Sequence, residues 1–268
     1  MKLREIIMDA IKFPISDTRK FLIFCALIII MSLSTILPSY GIKNSTLSLI
    51  LSLVTLVVSF IVLGYSVEVI KSGTECDDTL PDFDYVKQFV IGIKALILDI
   101  IYFIIPAVLV IIVASATGLF SSFTNILYIC IDAIGNGAED LTTIMAAVPK
   151  STMATFTNSL TITLIVGIIL FIIFSLMSFT ALVRFAKFES GTEGLRFREI
   201  LKDMSRVGFI KIIVTLIVIY IIAFVLAIAV GLIGLIPYIG VFIGLYVGVP
   251  FLLLFLYRAI GLLYADAY

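Results

Sequence analysis

Histidine is absent from the 268 residues, cysteine occurs three times, and charged side chains make up only 13% of the chain. Without histidine and with so little thiol, the usual ligand sets of zinc cannot be assembled. The same scarcity leaves no paired nucleophile and base, so enzymatic chemistry is not expected. The net charge is zero, which argues against a dedicated nucleic-acid surface, because such a surface normally comes with excess positive charge. Cys25 lies in an apolar run, while Cys76 and Cys130 fall on opposite sides of the zigzag of runs described next, so no disulfide framework is expected. Nothing in the chain calls for a cofactor.

What the chain has in excess is apolar surface. Hydrophobic residues make up 62% and the mean hydropathy is +1.27, far beyond a soluble domain that is roughly half apolar. A helix crosses the ~30 Å hydrocarbon layer in about 20 residues and satisfies its own backbone hydrogen bonds there. Six runs of suitable length occur at 21–37, 46–70, 89–113, 160–183, 209–235 and 239–264. Their continuity excludes the alternating pattern of a β-barrel. The fold class is therefore all-α: a polytopic membrane protein of six transmembrane helices. The first run is followed by five more and lacks a small-x-small cleavage site, so it reads as retained rather than as a secretory signal.

Lys and Arg divide unevenly across this zigzag. Residues 2, 4, 12, 19, 20, 71, 87, 94, 184, 187, 196, 198, 202, 206, 211 and 258 fall on one face, leaving Lys43 and Lys150 opposite. The positive-inside rule makes the basic face cytoplasmic, with both termini on it and the protein in the cytoplasmic membrane. Anionic lipid headgroups are the expected partners of that face, with Arg4, Lys12, Arg196, Arg198, Lys202 and Arg206 as contacts.

An internal pattern accompanies the charge bias. Ser72-Gly73-Thr74-Glu75 follows the second run and Ser190-Gly191-Thr192-Glu193 the fourth. Arg4-Glu5-Ile6-Ile7-Met8-Asp9 before the first run resembles Arg198-Glu199-Ile200-Leu201-Lys202-Asp203 before the fifth, and Gly92-Ile93-Lys94 resembles Gly208-Phe209-Ile210-Lys211. These matches predict a single domain of three parallel repeats, roughly 1–71, 81–189 and 195–268, each a short amphipathic elbow helix followed by two spans. Leu3, Ile6, Ile7, Ala10 and Ile11 form the greasy stripe of the first elbow, and Phe197, Ile200, Leu201 and Met204 that of the third, so each is expected to lie flat in the headgroup layer. The middle elbow, 82–89, is weaker. The outer segment 114–159 is far longer than the other outer connections and rich in apolar residues, including Phe120, Phe123, Leu127 and Ile131; one or two short helices on the outer leaflet are expected.

Few residues point to chemistry. Asp99 lies about ten positions into the third run, roughly 15 Å of helical rise from its start, and Tyr102 follows one turn later. An ionised carboxylate at that depth costs at least ~2.5 kcal/mol, so it must face the bundle interior, find a partner or hold a proton. Asp99 with Tyr102 is the candidate intramembrane ion or proton site; a protonated Asp99 tying two helices together is the structural reading. Glu68 and Arg258, nearer the basic face, are expected to snorkel or to pair with one another. Glu75, Asp77, Asp78, Asp82 and Asp84 make an acidic loop without EF-hand spacing, read as solvated rather than metal-binding. Gly240, Gly244 and Gly248 remove side chains along one stripe of the last run and predict close helix packing. Pro106, Pro237 and Pro250 predict kinks, with Pro237-Tyr238 marking the last outer turn. Asn44-Ser45-Thr46 fits a glycosylation acceptor but abuts the second run and reads as incidental.

Phe13-Pro14 with Asp17, Leu80-Pro81-Asp82-Phe83, Gly92-Ile93-Lys94, Tyr102 with Pro106, and Tyr264-Ala265 resemble an uncharacterised family of archaeal and bacterial multi-spanning membrane proteins catalogued as a domain of unknown function. The chain is similar at greater distance to membrane domains that accompany glycerophosphodiester phosphodiesterases. The resemblance implies a six-span integral membrane protein and supplies no activity. Solute or ion transport through Asp99 is the leading expectation. The alternative is a non-transporting structural or accessory subunit in envelope or lipid handling, with the outer segment docking a membrane or outer-surface partner.

Overall fold

A computed structural model describes residues 1–39, 41–42, 44–236 and 239–267. Lys43 and the Pro237-Tyr238 turn fall outside the described residues. Among those described no strand occurs, and the helices are α1 (Leu3–Lys12), α2 (Thr18–Ser39), α3 (Ser45–Thr74), α4 (Tyr85–Ala116), α5 (Leu119–Gly135), α6 (Leu141–Ala146), α7 (Lys150–Phe188), α8 (Phe197–Val207), α9 (Phe209–Gly234), α10 (Ile239–Ile243) and α11 (Val249–Leu263). Six helices are long and apolar enough to cross a membrane: α2, α3, α4, α7, α9 and the stretch Gly244–Ala267.

Short polar side chains start several of these helices. The Asp17 carboxylate accepts from the amides of Arg19 and Lys20, Asn44 Oδ1 from Thr46 and Leu47, and Asp84 Oδ1 from Lys87, so donors that a helix N-terminus leaves unpaired are satisfied at α2, α3 and α4. Asn44 is thus a helix cap. Gly208, at φ +93°, makes the turn between α8 and α9 in a conformation that side-chain-bearing residues avoid. The last span is interrupted by a π turn at Gly244–Gly248 ahead of Pro250, whose missing N–H cannot serve a continuous α-helix.

The chain forms two compact units, one of residues 1–99 with 177–268 and one of residues 100–176. The first holds the core. Its last span is the most enclosed: half of the apolar window of Gly244–Ala267 is buried in protein, against 22%, 17% and 28% for α2, α3 and α9. Helices α3 and α4 cross backbone to backbone. A Cβ on Gly64 would stand 1.8 Å from the Gln88 carbonyl oxygen, and one on Gly92 would stand 1.9 Å from that of Phe60. Gly73 and Gly261 allow the same approach between α3 and α11, where a Cβ on Gly261 would meet the Ile70 carbonyl oxygen at 2.3 Å. On the last hairpin, a Cβ on Gly240 would meet the Ile233 carbonyl oxygen at 2.0 Å, and Gly244 and Gly248 face Val230.

The two short helices α1 and α8 occupy the positions of the first and third elbows, yet their inner faces meet protein rather than lipid. Ile6 and Ala10 of α1 are buried against Ile219 and Ala223 of α9 and Phe255, Ala259 and Leu262 of α11. Ile200, Met204 and Val207 of α8 are buried as well. The middle elbow is not a separate helix. Residues 77–84 form a non-helical strap: Leu80 is buried in the core cluster, Phe83 stacks on Tyr65 at 4.3 Å, the Tyr65 hydroxyl donates to the Pro81 carbonyl, and Lys20 Nζ donates to that of Leu80 at 2.6 Å. The two Ser-Gly-Thr-Glu tetrapeptides are not equivalent. The first precedes the left-handed residue that ends its helix, Cys76 (φ +54°), whereas the second follows its counterpart, Glu189 (φ +52°).

The second unit holds the outer halves of α4 and α7 with α5 and α6. Ser159 Oγ donates to the Thr117 carbonyl at 2.6 Å, and Phe123 packs near Phe156. Asp140 caps α6; the Thr143 hydroxyl and amide hold its carboxyl below the usual carboxylate range. The outer segment is therefore helical from Leu119 to Gly135, with apolar Phe120, Phe123, Leu127 and Ile131 exposed.

The α3 and α4 crossing yields a direct test. Gly64→Ala forces a methyl group into a carbonyl that cannot move independently of its helix, and should cost about 1–3 kcal/mol, the range for overpacking. Thermal unfolding in detergent measures it; Gly231→Ala, where a Cβ meets nothing within 4 Å, should leave the midpoint unchanged.

Candidate functional site

Two polar arrangements lie inside the first unit. At the basic end, Arg258 is fully buried, so the sequence expectation that it snorkels or pairs with Glu68 does not hold. Its Nε donates to Asp9 Oδ1 at 2.7 Å, Nη1 to Ser72 Oγ at 3.0 Å and the Asp77 carbonyl at 2.5 Å, and Nη2 to Asp9 Oδ2 and Asp78 Oδ1. The guanidinium also lies 4.3 Å from the Phe13 ring centroid, a cation–π contact. One residue thereby joins α1, the end of α3 and the strap to α11. Glu68 instead receives Lys87 Nζ at 3.1 Å and Gln88 Nε2 at 2.7 Å.

Arg184 of α7 repeats the arrangement. Its Nη1 donates to Asp203 of α8 at 2.6 Å, and Nη2 to Glu193 at 2.6 Å. Around these pairs lie Lys71 with Glu189 at 2.7 Å, Lys187 with Glu75 at 3.4 Å, and Lys20 with Asp82 at 2.9 Å. The N-terminal ammonium and Lys211 both meet Asp266. The hydrogen bond from Lys71 holds Glu189 below the usual carboxylate range, and the Thr79 amide and hydroxyl do the same for Asp77. The acidic loop is exposed, with Glu75, Asp78 and Asp82 each in a salt bridge. It borders an open depression of about 330 Å³ lined by Glu68, Lys71, Asp77 and Lys87, among others. Among the described residues, no group of three or more potential ligands could hold a metal ion. The six residues read as headgroup contacts, Arg4, Lys12, Arg196, Arg198, Lys202 and Arg206, are all exposed on α1, α8 or the residue before α8.

The second arrangement lies deeper. Asp99, about 20 Å of helical rise from the start of α4, is partly buried and accepts a hydrogen bond from Ser178 Oγ of α7 at 2.8 Å. Among the described residues no Lys or Arg pairs with it, in contrast to Glu68. Tyr257 of α11 stands within electrostatic reach of Asp99. Thr180 and Tyr264 share a 2.6 Å hydrogen bond between α7 and α11. Tyr102, one turn beyond Asp99 along α4, belongs to the second unit. An unpaired carboxylate beside hydroxyls can bind a proton or coordinate a small cation through oxygen. Sequence reasoning missed Ser178, Tyr257, Asp9 and Asp203. The shared Arg-Glu-Ile-x-x-Asp pattern of α1 and α8 held the signal for the two aspartates, because each ends on the acid that binds a buried arginine.

Fold and site together define an all-helical, multi-pass membrane protein with a cross-linked polar end. The chain belongs to the family described as Protein of unknown function (DUF4013), whose profile matches residues 47–235. No curated protein and no solved structure matches it.

Removing one partner of a buried ion pair leaves the other uncompensated, which costs up to about 3–5 kcal/mol, whereas an apolar group of similar volume can replace the pair at little cost. Asp9→Ala should therefore lower the unfolding midpoint markedly, and the double variant Asp9→Leu/Arg258→Met should lower it less, as read by thermal unfolding of the purified protein.

Proposed function

We propose that this protein moves a proton or a small cation across the cytoplasmic membrane, without enzymatic chemistry, and that Asp99 is the group its cargo meets. The observation that carries this reading is the state of Asp99: a carboxylate within a span, with a serine hydroxyl for a hydrogen-bond partner and, among the described residues, no basic residue paired with it. A residue that only tied helices together would gain more from a basic partner, as Glu68 does from Lys87. Tyr257, within electrostatic reach, offers a further oxygen atom from another span. The excess of Lys and Arg at the end holding both termini supports a cytoplasmic placement of that end. The exposed basic side chains of α1 and α8 suit anionic headgroups there.

The accessory reading draws on a different observation, the exposed apolar stripe of α5, which suits a membrane or outer-surface partner in envelope or lipid handling.

Proteoliposomes loaded with the pH dye pyranine, under an imposed proton or sodium gradient, separate the two. The wild type should dissipate a gradient faster than protein-free vesicles, and Asp99→Asn, which keeps an acceptor for Ser178, should fall to the protein-free rate. Wild-type flux from Asp99→Asn would remove Asp99 from the pathway. A wild type that moves neither ion would favour the accessory reading.

A further inference from the structure

Three ion pairs at the basic end share one order along the chain. Glu68, Arg184 and Arg258 each sit near the end of the second span of a hairpin, in α3, α7 and α11, and each is followed by two buried apolar residues: Val69-Ile70, Phe185-Ala186 and Ala259-Ile260. Lys71 and Lys187 stand three residues beyond the first two, where Gly261 stands beyond the third. Each charged residue binds the segment that leads into the next hairpin. Glu68 binds Lys87 at the start of α4, and Arg184 binds Asp203 of α8; in both cases the partners are 19 positions apart. Arg258, in the last of these three hairpins, binds Asp9 of α1, which leads into the first of them. The polarity is reversed in one pair of the three, so the contact and not the sign is what recurs.

We infer that these pairs form a cyclic latch built on a threefold repeat of lead-in segment and hairpin, which holds α1, α8 and the start of α4 against the spans and keeps the basic end of the first unit shut. The third pair, between residues 249 positions apart, closes the cycle. In the transport reading the latch is the barrier on the basic side; the inference itself rests on the pairs and does not need a transported ion. Charge geometry explains why the reversed pair is tolerated. A carboxylate and a cation attract equally whichever helix carries which, provided that each keeps its place.

Two experiments test it. The first measures thermal stability of Glu68→Arg, Lys87→Asp and the double variant, which would give the first pair the polarity of the other two. Each single change should lower the midpoint by several degrees, and the double variant should recover most of the loss. A double variant no more stable than the worse single change would overturn the equivalence of the pairs. The second reads closure in a version with the native cysteines replaced and one cysteine at Ser66, which is 1% exposed and two residues before Glu68. A membrane-impermeant maleimide should leave it unlabelled when Glu68 and Arg258 are intact, and label it in Glu68→Gln or Arg258→Gln. Labelling that is equal in all three would overturn the latch. Neither result depends on Asp99, so a failure here and a failure of the flux assay are distinguishable.

Discussion

A buried guanidinium must be surrounded by acceptors, and the architecture of the basic end follows from satisfying that demand at Arg258. Solvation by water is lost, so every N–H that the side chain offers has to meet a carboxylate, a carbonyl or a hydroxyl within the protein. Asp9, Ser72 and the Asp77 carbonyl fill that role, and each comes from a different segment. A short N-terminal helix, the end of a span and a non-helical strap are therefore fixed relative to the most enclosed helix of the unit. The glycines at 73 and 261 make this possible, because α3 and α11 must come within backbone contact for Ser72 to reach the arginine.

Asp99 is the counterpoint. It lies deeper along its helix than Glu68 lies along its own, where an ionised group has least help from water, yet its partner is a neutral hydroxyl. Among the described residues, the basic side chains are engaged with other acids or exposed.

The spans were legible because lipid imposes one simple rule, a run of about 20 apolar residues, and six such runs exist. The capping residues were present in the sequence but carried other readings: Asn44 looked like a glycosylation acceptor, and Asp84 looked like part of an acidic loop. Arg258 was misread because its partner lies at the far end of the chain, and no local pattern connects position 258 to position 9. The middle elbow failed for a different reason. Pro81 and the aromatic residues around it favour a strap pinned to Tyr65 over the helix that hydrophobic spacing suggested. The tetrapeptide match misled too, since identical letters fell on opposite sides of the residue that ends each helix.

The arrangement of charge across six crossings is open to one direct measurement: labelling of single cysteines at Asp78, Arg198 and Asn136, in a cysteine-free background, by an impermeant maleimide applied to sealed vesicles of each orientation. Positions 78 and 198 should react only when the cytoplasmic face is outward, and position 136 only when the opposite face is. Reaction of 198 and 136 from the same side would contradict the six-span arrangement and the polar end built upon it.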